Sequence, residues 1–287
     1  MIKVRDLQLK RILMLFAVIF FFVGCVPERK IASEYLSQRR NMTLVIRAPE
    51  LVKMVNLGAD SVQDNPDLSQ REKDSIHFYN SKILQNITDS IVIGNYVRNL
   101  QTGFENQGYK TLIAAQNDTV FPVTGNAILI NIGQIELDEQ KYPIRDETKY
   151  NGKLYTADYD LTKIELSYWI EVSKIDNGYA VLSPRLLYDS FDEQDDFKGD
   201  FFLNRKTNKL DYKSAIEGIT TEYVYSLASS IGSDHAIRLN EYLLNEYISY
   251  NLPQKKNRIL FSVQQPYNTL IKVTKPTFKE MPIKSDN

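Results

Sequence analysis

The chain has 287 residues, with 35 Lys and Arg against 36 Asp and Glu, and it is 43% hydrophobic and 25% charged. This is ordinary globular material without the basic field of a nucleic-acid binder, so no nucleic acid is expected among its partners. With one Cys and two His in the whole chain, an intramolecular disulfide and a Cys-ligated metal site are both excluded.

The first eleven residues hold Lys3, Arg5, Lys10 and Arg11 against the single acid Asp6, and an unbroken apolar run follows from Ile12 to Val23. That is the layout of a secretory signal. A run of about 12 residues falls short of the roughly 20 that a spanning helix needs. It ends in Phe22-Val23-Gly24-Cys25, which resembles the lipobox of bacterial lipoproteins, with Phe22 where Leu is usual. The resemblance implies cleavage before Cys25 and acylation of Cys25 by palmitate-type chains, so the first partner is a membrane reached through an N-terminal lipid. Two or three acyl chains hold far more firmly than one. Residues 1–24 carry four bases and one acid, which leaves the rest of the chain at net −4. Val26-Pro27-Glu28-Arg29-Lys30 resembles neither an inner-membrane retention signal nor an acidic surface-export signal. The expected location is therefore the outer membrane, lipid-anchored and facing the periplasm, with surface exposure as the alternative.

Residues 26–42 are polar and read as a tether. Thr43 to Ile46 is a short strand closed by Pro49, and Glu50 to Asp74 reads as a long loop. Within Lys82 to Gln107, Leu84, Ile87, Ile91, Leu100 and Phe104 recur at mostly helical steps and predict an apolar stripe. Gly94 and Gly103 each weaken that helix by roughly 1 kcal/mol against Ala. Gly108 terminates it, and Tyr109 to Ala114 reads as a strand. Ala127 to Leu137 alternates through Ile128, Ile130 and Ile132, then shifts phase at Gly133 to Ile135 and Leu137, which predicts a bulge. Ile164, Leu166, Tyr168, Ile170 and Val172 share one strand face, and Glu165, Ser167, Trp169, Glu171 and Ser173 share the other. Asp176-Asn177-Gly178 is a hairpin turn. Tyr179 to Tyr188 returns as its partner, and Phe201 to Leu203 adds a short strand.

Near the end, Val224, Leu227, Ala228 and Ile231 form a helical stripe stopped by Gly232. Ser233-Asp234 caps a second helix through Ile237, Leu244, Tyr247 and Ile248. Beyond Pro253, Ile259 to Val263 and Leu270 to Val273 suit short strands in an extended tail. The expected fold class is α+β: an antiparallel sheet of about four to six strands with one early helix and a C-terminal helical pair. The expected division is a signal at 1–24, a lipidated tether at 25–42, one domain at 43–253 and a tail at 254–287.

No HExxH, GxSxG, GxGxxG or P-loop pattern is present, and no cofactor is expected. Asp192, Asp195, Asp196 and Asp200 crowd one acidic stretch and are candidate Ca²⁺ ligands, against the plainer reading of a solvated loop. Glu136/Asp138 and Glu165/Glu171 have the look of glycosidase carboxylate pairs, although strand alternation explains them as solvent-facing. Ser233-Asp234-His235 puts triad letters in a row that adjacent residues cannot turn into triad geometry. Tyr168 and Trp169 are the candidate ligand surface. Asp60-Ser61-Val62 and Asp118-Thr119-Val120 resemble an O-glycosylation motif of exported proteins, which makes Ser61 and Thr119 candidate acceptors.

The stretches SKILQNITDSIVIGNYVRNLQTGFENQGYKTLIA and LTKIELSYWIEVSKIDNGYAVL resemble an uncharacterised group of outer-membrane lipoproteins of gut-type Gram-negative bacteria, over most of residues 42–253. A looser resemblance is to envelope auxiliary lipoproteins, such as those serving ABC-type lipid transport. These resemblances imply an envelope protein partner and carry no activity. Three readings follow: a non-enzymatic accessory or binding protein of the cell envelope, a glycan-binding or glycan-processing lipoprotein, and a structural surface component. In the last, residues after Pro253 would lend a strand to a partner's sheet edge.

Overall fold

The computed structural model describes residues 27–58, 69, 72, 78–180, 184–254 and 258–282. The elements begin with α1 (Pro27–Gln38), β1 (Thr43–Arg47), β2 (Lys53–Asn56), α2 (Asp89–Asn106) and β3 (Lys110–Ala114). Two long strands follow, β4 (Ala127–Tyr150) and β5 (Lys153–Asp176), then β6 (Tyr179–Ala180), β7 (Arg185–Gln194), β8 (Asp196–Asn204) and β9 (Lys209–Glu217). The chain closes with α3 (Thr221–Asn251), β10 (Leu260–Gln264), β11 (Thr269–Val273) and β12 (Lys279–Met281).

The fold is α+β, and its main sheet is larger and more mixed than the sequence predicts. Eight strands join it, in the order β12-β7-β5-β4-β1-β3, with β2 on β4 and β6 on β5. β1 pairs in parallel with both β3 and β4. A parallel neighbour needs a crossover connection, and α2 supplies it between β1 and β3. β4 and β5 pair antiparallel along their whole 24-residue lengths. Asn151 (φ 50°) and Gly152 (φ 75°) turn the chain between them. That is the positive-φ pair a tight hairpin favours. β2 forms inside the stretch expected as a loop, and β12 forms inside the expected tail, pairing with β7. The C-terminal stretch thus lends its strand to the chain's own sheet.

The chain divides into two compact units. The described residues within 40–239, with 277–282, form the unit with the main sheet. On one face of that sheet lie Leu44, Ile46, Ile130, Ile132, Leu166 and Ile170, all fully or almost fully buried. Val92, Tyr96, Leu100 and Phe104 bury one side of α2 at four-residue steps. The expected stripe had Ile91 in place of Val92, but Ile91 is 41% exposed. On the opposite face, near β1, Phe121 packs with Val45, Ala127, Leu129 and Ile175. Its N–H donates to the Gly178 carbonyl at 2.8 Å.

The expected C-terminal helical pair is one 31-residue helix, α3. Gly232 does not stop it, and Ser233 and Asp234 lie inside it. The glycine serves another purpose. A Cβ there would overlap the Tyr96 carbonyl of α2, and one at Gly103 would overlap the Ala236 side chain. Small residues let the two helix backbones meet.

Among the described residues, the other unit holds 27–39, 240–254 and 258–276. Residues expected as tether form α1 there, with Ala32 and Tyr35 buried and Tyr35 5.3 Å from the Tyr247 ring. Arg39 donates to Asn240 (3.1 Å) and Asn268 (2.9 Å). β10 and β11 pair as a hairpin, and the Asn245 side chain meets both the N–H and the carbonyl of Phe261 at 2.9 Å.

Two glycines in helices give opposite expectations. Gly232→Ala is expected to cost about 3 kcal/mol, because overpacking against backbone cannot relax. Gly94 has open space around it, so Gly94→Ala is expected to stabilise by about 1 kcal/mol. Urea midpoints of the two variants check both.

Candidate functional site

The outward face of the main sheet is built by the bulge at Gly133. Pairing of β4 with β5 shifts between Ile132 and Gln134. A one-residue slip sends every later side chain to the other face. Ile132, Ile135 and Leu137 therefore all reach the core, and Gln134, Glu136 and Asp138 face outward. Opposite them on β5 stand Trp169, Ser167 and Glu165. β7 adds Tyr188 beside Trp169 and Ser190 beside Ser167.

These side chains form a partly exposed strip in which Ser167 is buried. The Trp169 and Tyr188 rings lie 5.1 Å apart at 57°. The Tyr188 hydroxyl is 3.1 Å from Ser167 Oγ, which donates to Glu165 Oε1 at 3.4 Å. Gln134 donates to Glu136 at 2.6 Å, and Lys53 pairs with the same carboxylate at 3.0 Å. Arg47 donates to Asn131, and Asn131 to Glu171, extending the row across β1, β4 and β5. Asp138 is the strained member. Partial burial, then the charges of Glu136 and Glu165, push its carboxyl up to about 6 against the pull of Lys53. Its Oδ1 is buried with no hydrogen-bond partner among the described residues.

The other face carries a second polar cluster, buried at His235 and partly exposed at Asp189 and Arg238. His235 of α3 has no exposed surface. Its Nδ1 lies 2.8 Å from the Tyr96 hydroxyl and its Nε2 3.2 Å from Asp189 Oδ2. With Asp189 ionised, Nε2–H donates to it and Tyr96 O–H donates to Nδ1; these proton positions are assigned from the network. Arg238 also donates to Asp189 and reaches the Thr277 carbonyl at 2.7 Å. Burial pushes the His235 imidazole below its ordinary range, outweighing the upward pull of Asp189. Burial would raise Asp189, but hydrogen bonds from His235 and Arg238 and the Arg238 charge hold it low. Tyr168, Phe191 and Phe278 ring the imidazole. His235 finds its carboxylate on β7, while the adjacent Asp234 pairs with Arg238 at 3.3 Å.

Tyr168 and Trp169 do not share a surface. Tyr168 is fully buried, stacked on Tyr96 at 4.6 Å. Strand alternation puts its neighbour Trp169 on the other side. Tyr188, which sequence alone did not single out, takes the place beside Trp169. The acidic stretch spreads into separate duties. Asp192 pairs with Lys163 at 2.7 Å, and Asp196 pairs with Lys198 at 3.2 Å. Asp195 is buried and accepts the Thr162 N–H (2.7 Å) and the Ile219 N–H (2.9 Å), which ties both ends of the β8–β9 hairpin to β5. Asp200 is exposed on β8. Among the described residues, no group of three or more His, Cys, Asp or Glu is placed to hold a metal. Thr119 is exposed in the β3–β4 connection, and Ser61 and Cys25 lie outside the described residues. No described helix is long and apolar enough to cross a membrane.

In comparisons with known proteins, no family model matches the chain and no curated protein is significantly similar to it.

The raised Asp138 carboxyl fixes a sign for pH. Between the ordinary value of 3.8 and about 6, the folded protein holds a proton that the unfolded chain has released. The group's contribution is thus most favourable below that window and is lost as pH rises through it. Asp138→Asn is expected to stabilise the protein by about 1 kcal/mol near pH 8, a figure discounted for solvent screening, and to change little at pH ~3. Thermal melts at the two pH values check it.

Proposed function

We propose that the chain is a lipid-anchored, non-enzymatic binding protein of the bacterial cell envelope, and that the outward sheet face around Trp169 and Tyr188 is its ligand surface. The observation that carries this reading is the contrast between the two faces. On one face His235 is fully buried and both its ring nitrogens have partners. On the other, most of the polar row beside Trp169 is partly exposed, and one member, Asp138, costs the fold stability where it stands. Groups that cost stability and face outward mark functional sites. The address supports the setting: the apolar run Ile12 to Val23 and Cys25 supply the lipid anchor, with an envelope protein as the accompanying partner.

Carbohydrate is the ligand class that the strip favours. An aromatic platform offers an apolar face to a sugar ring, and the flanking carboxylates and amides of Glu136, Glu165, Gln134 and Asn131 offer hydrogen-bond partners for hydroxyls.

Trp169 is the only tryptophan in the chain, so its fluorescence reports this face directly. Titration with envelope polysaccharides is expected to shift its emission saturably, and Tyr188→Ala is expected to weaken that binding by roughly tenfold, the loss of about 1.4 kcal/mol. An emission unmoved by every polysaccharide, with an unchanged fold, would remove the carbohydrate reading. Separately, Cys25→Ala is expected to move the protein from the membrane pellet to the soluble fraction and to abolish labelling by a palmitate analogue.

A further inference from the structure

The β8–β9 hairpin is a two-stranded sheet of its own. An isolated hairpin is marginal in water and needs a surface to pack on. Here Phe197 and Tyr212 rest on Tyr159 of β5 at 5.1 and 5.7 Å, and the Tyr212 hydroxyl donates to Asp146 of β4. That packing holds the base of the hairpin and leaves its end uncovered. Phe202 is 46% exposed; its neighbour Leu203, 41% exposed, points to the opposite face of the ribbon.

The turn beyond them reads Asn204-Arg205-Lys206-Thr207-Asn208-Lys209. Arg205, Lys206 and Lys209 are exposed, and none of the ion pairs among the described residues engages them. Two acids lie near the end: Asp211 accepts from the Asn204 side chain at 2.6 Å, and Asp200 is exposed two residues before Phe202. A concentrated positive end thus sits on a chain that is net −4 after residue 24. The combination is specific. Cations alone suit any polyanion, whereas cations beside an exposed aromatic side chain suit a headgroup layer, where charge meets phosphate and the ring enters the acyl boundary.

We propose that the end of the β8–β9 hairpin is a membrane-contact site that takes anionic phospholipid headgroups, with Arg205, Lys206 and Lys209 on the phosphates and Phe202 inserted beneath them. The site rests on the hairpin's own chemistry and is separate from the anchor at Cys25.

The test places an environment-sensitive fluorophore on the full chain by Thr207→Cys in a Cys25→Ala background. The chain is mixed with phosphatidylcholine vesicles, with or without phosphatidylglycerol. With phosphatidylglycerol, the emission is expected to shift to the blue and to be quenched by spin-labelled lipid, and added salt should weaken both effects. R205E/K206E/K209E is expected to lower that partition by roughly tenfold or more. Phe202→Ser is expected to lose the blue shift and the quenching. Vesicle flotation reads attachment through the N-terminal run independently. A chain that floats with anionic vesicles while its label emits as in buffer would overturn the site. So would a shift that the triple reversal leaves intact, or one produced by a soluble polyanion without a bilayer.

Discussion

His235 is the point on which the main-sheet unit depends. One imidazole joins four separate stretches of chain: α2 through Tyr96, its own helix α3, β7 through Asp189, and the C-terminal segment through the Phe278 ring. Arg238 closes the loop by holding both Asp189 and the Thr277 carbonyl. The close approach of α2 to α3 at Gly232 brings Tyr96 and His235 together. The network tolerates burial because each of its charges meets another and its ring nitrogens are both used. It also makes acid a specific threat. The folded ring stays neutral while the unfolded ring takes a proton below about 6.5, so its contribution is present above that pH and lost as pH falls.

Fixing the helices to one face decides what the other can do. The sheet's eight strands cannot bury both sides of every strand with the residues they carry, and β4, β5 and β7 alternate apolar with polar accordingly. The Gly133 bulge sets the phase of that alternation. Without it, Glu136 and Asp138 would point into the core and Ile135 and Leu137 would point out. The same insertion that keeps the core apolar gathers carboxylates beside Trp169. The long β4–β5 hairpin then carries the β8–β9 ribbon, so both proposed contacts, with ligand and with bilayer, are displayed by the same two strands.

Much of this was legible residue by residue. The alternation from Ile164 to Val172, the bulge at Gly133 and the turn at Asn177-Gly178 are local signals, and the structure follows them. Asn151-Gly152 carries the same turn signal as Asn177-Gly178. Its flanking residues, from Arg145 to Asp160, alternate without a buried face, so nothing apolar announced a strand. Gly232 misled because a glycine ends some helices and admits close neighbours in others, and only the position of Tyr96 tells which. Ala32 and Tyr35 were too few to mark α1 as a buried helix within a polar stretch. Tyr188 was hidden for a different reason: its place beside Trp169 is set by the register of β7 on β5, which no single strand encodes. Tyr168 needed no structure to correct, since neighbours on a strand face opposite ways.

The most direct measurement is site-specific photo-crosslinking in cells. A photoreactive amino acid would replace Trp169 or Tyr188 on the outward face, or Ile237, which is 45% exposed on α3. If the outward sheet face is the working surface, a defined adduct forms from positions 169 and 188 and none forms from 237. Adducts from 237 alone would place recognition on the helical layer and contradict the assignment.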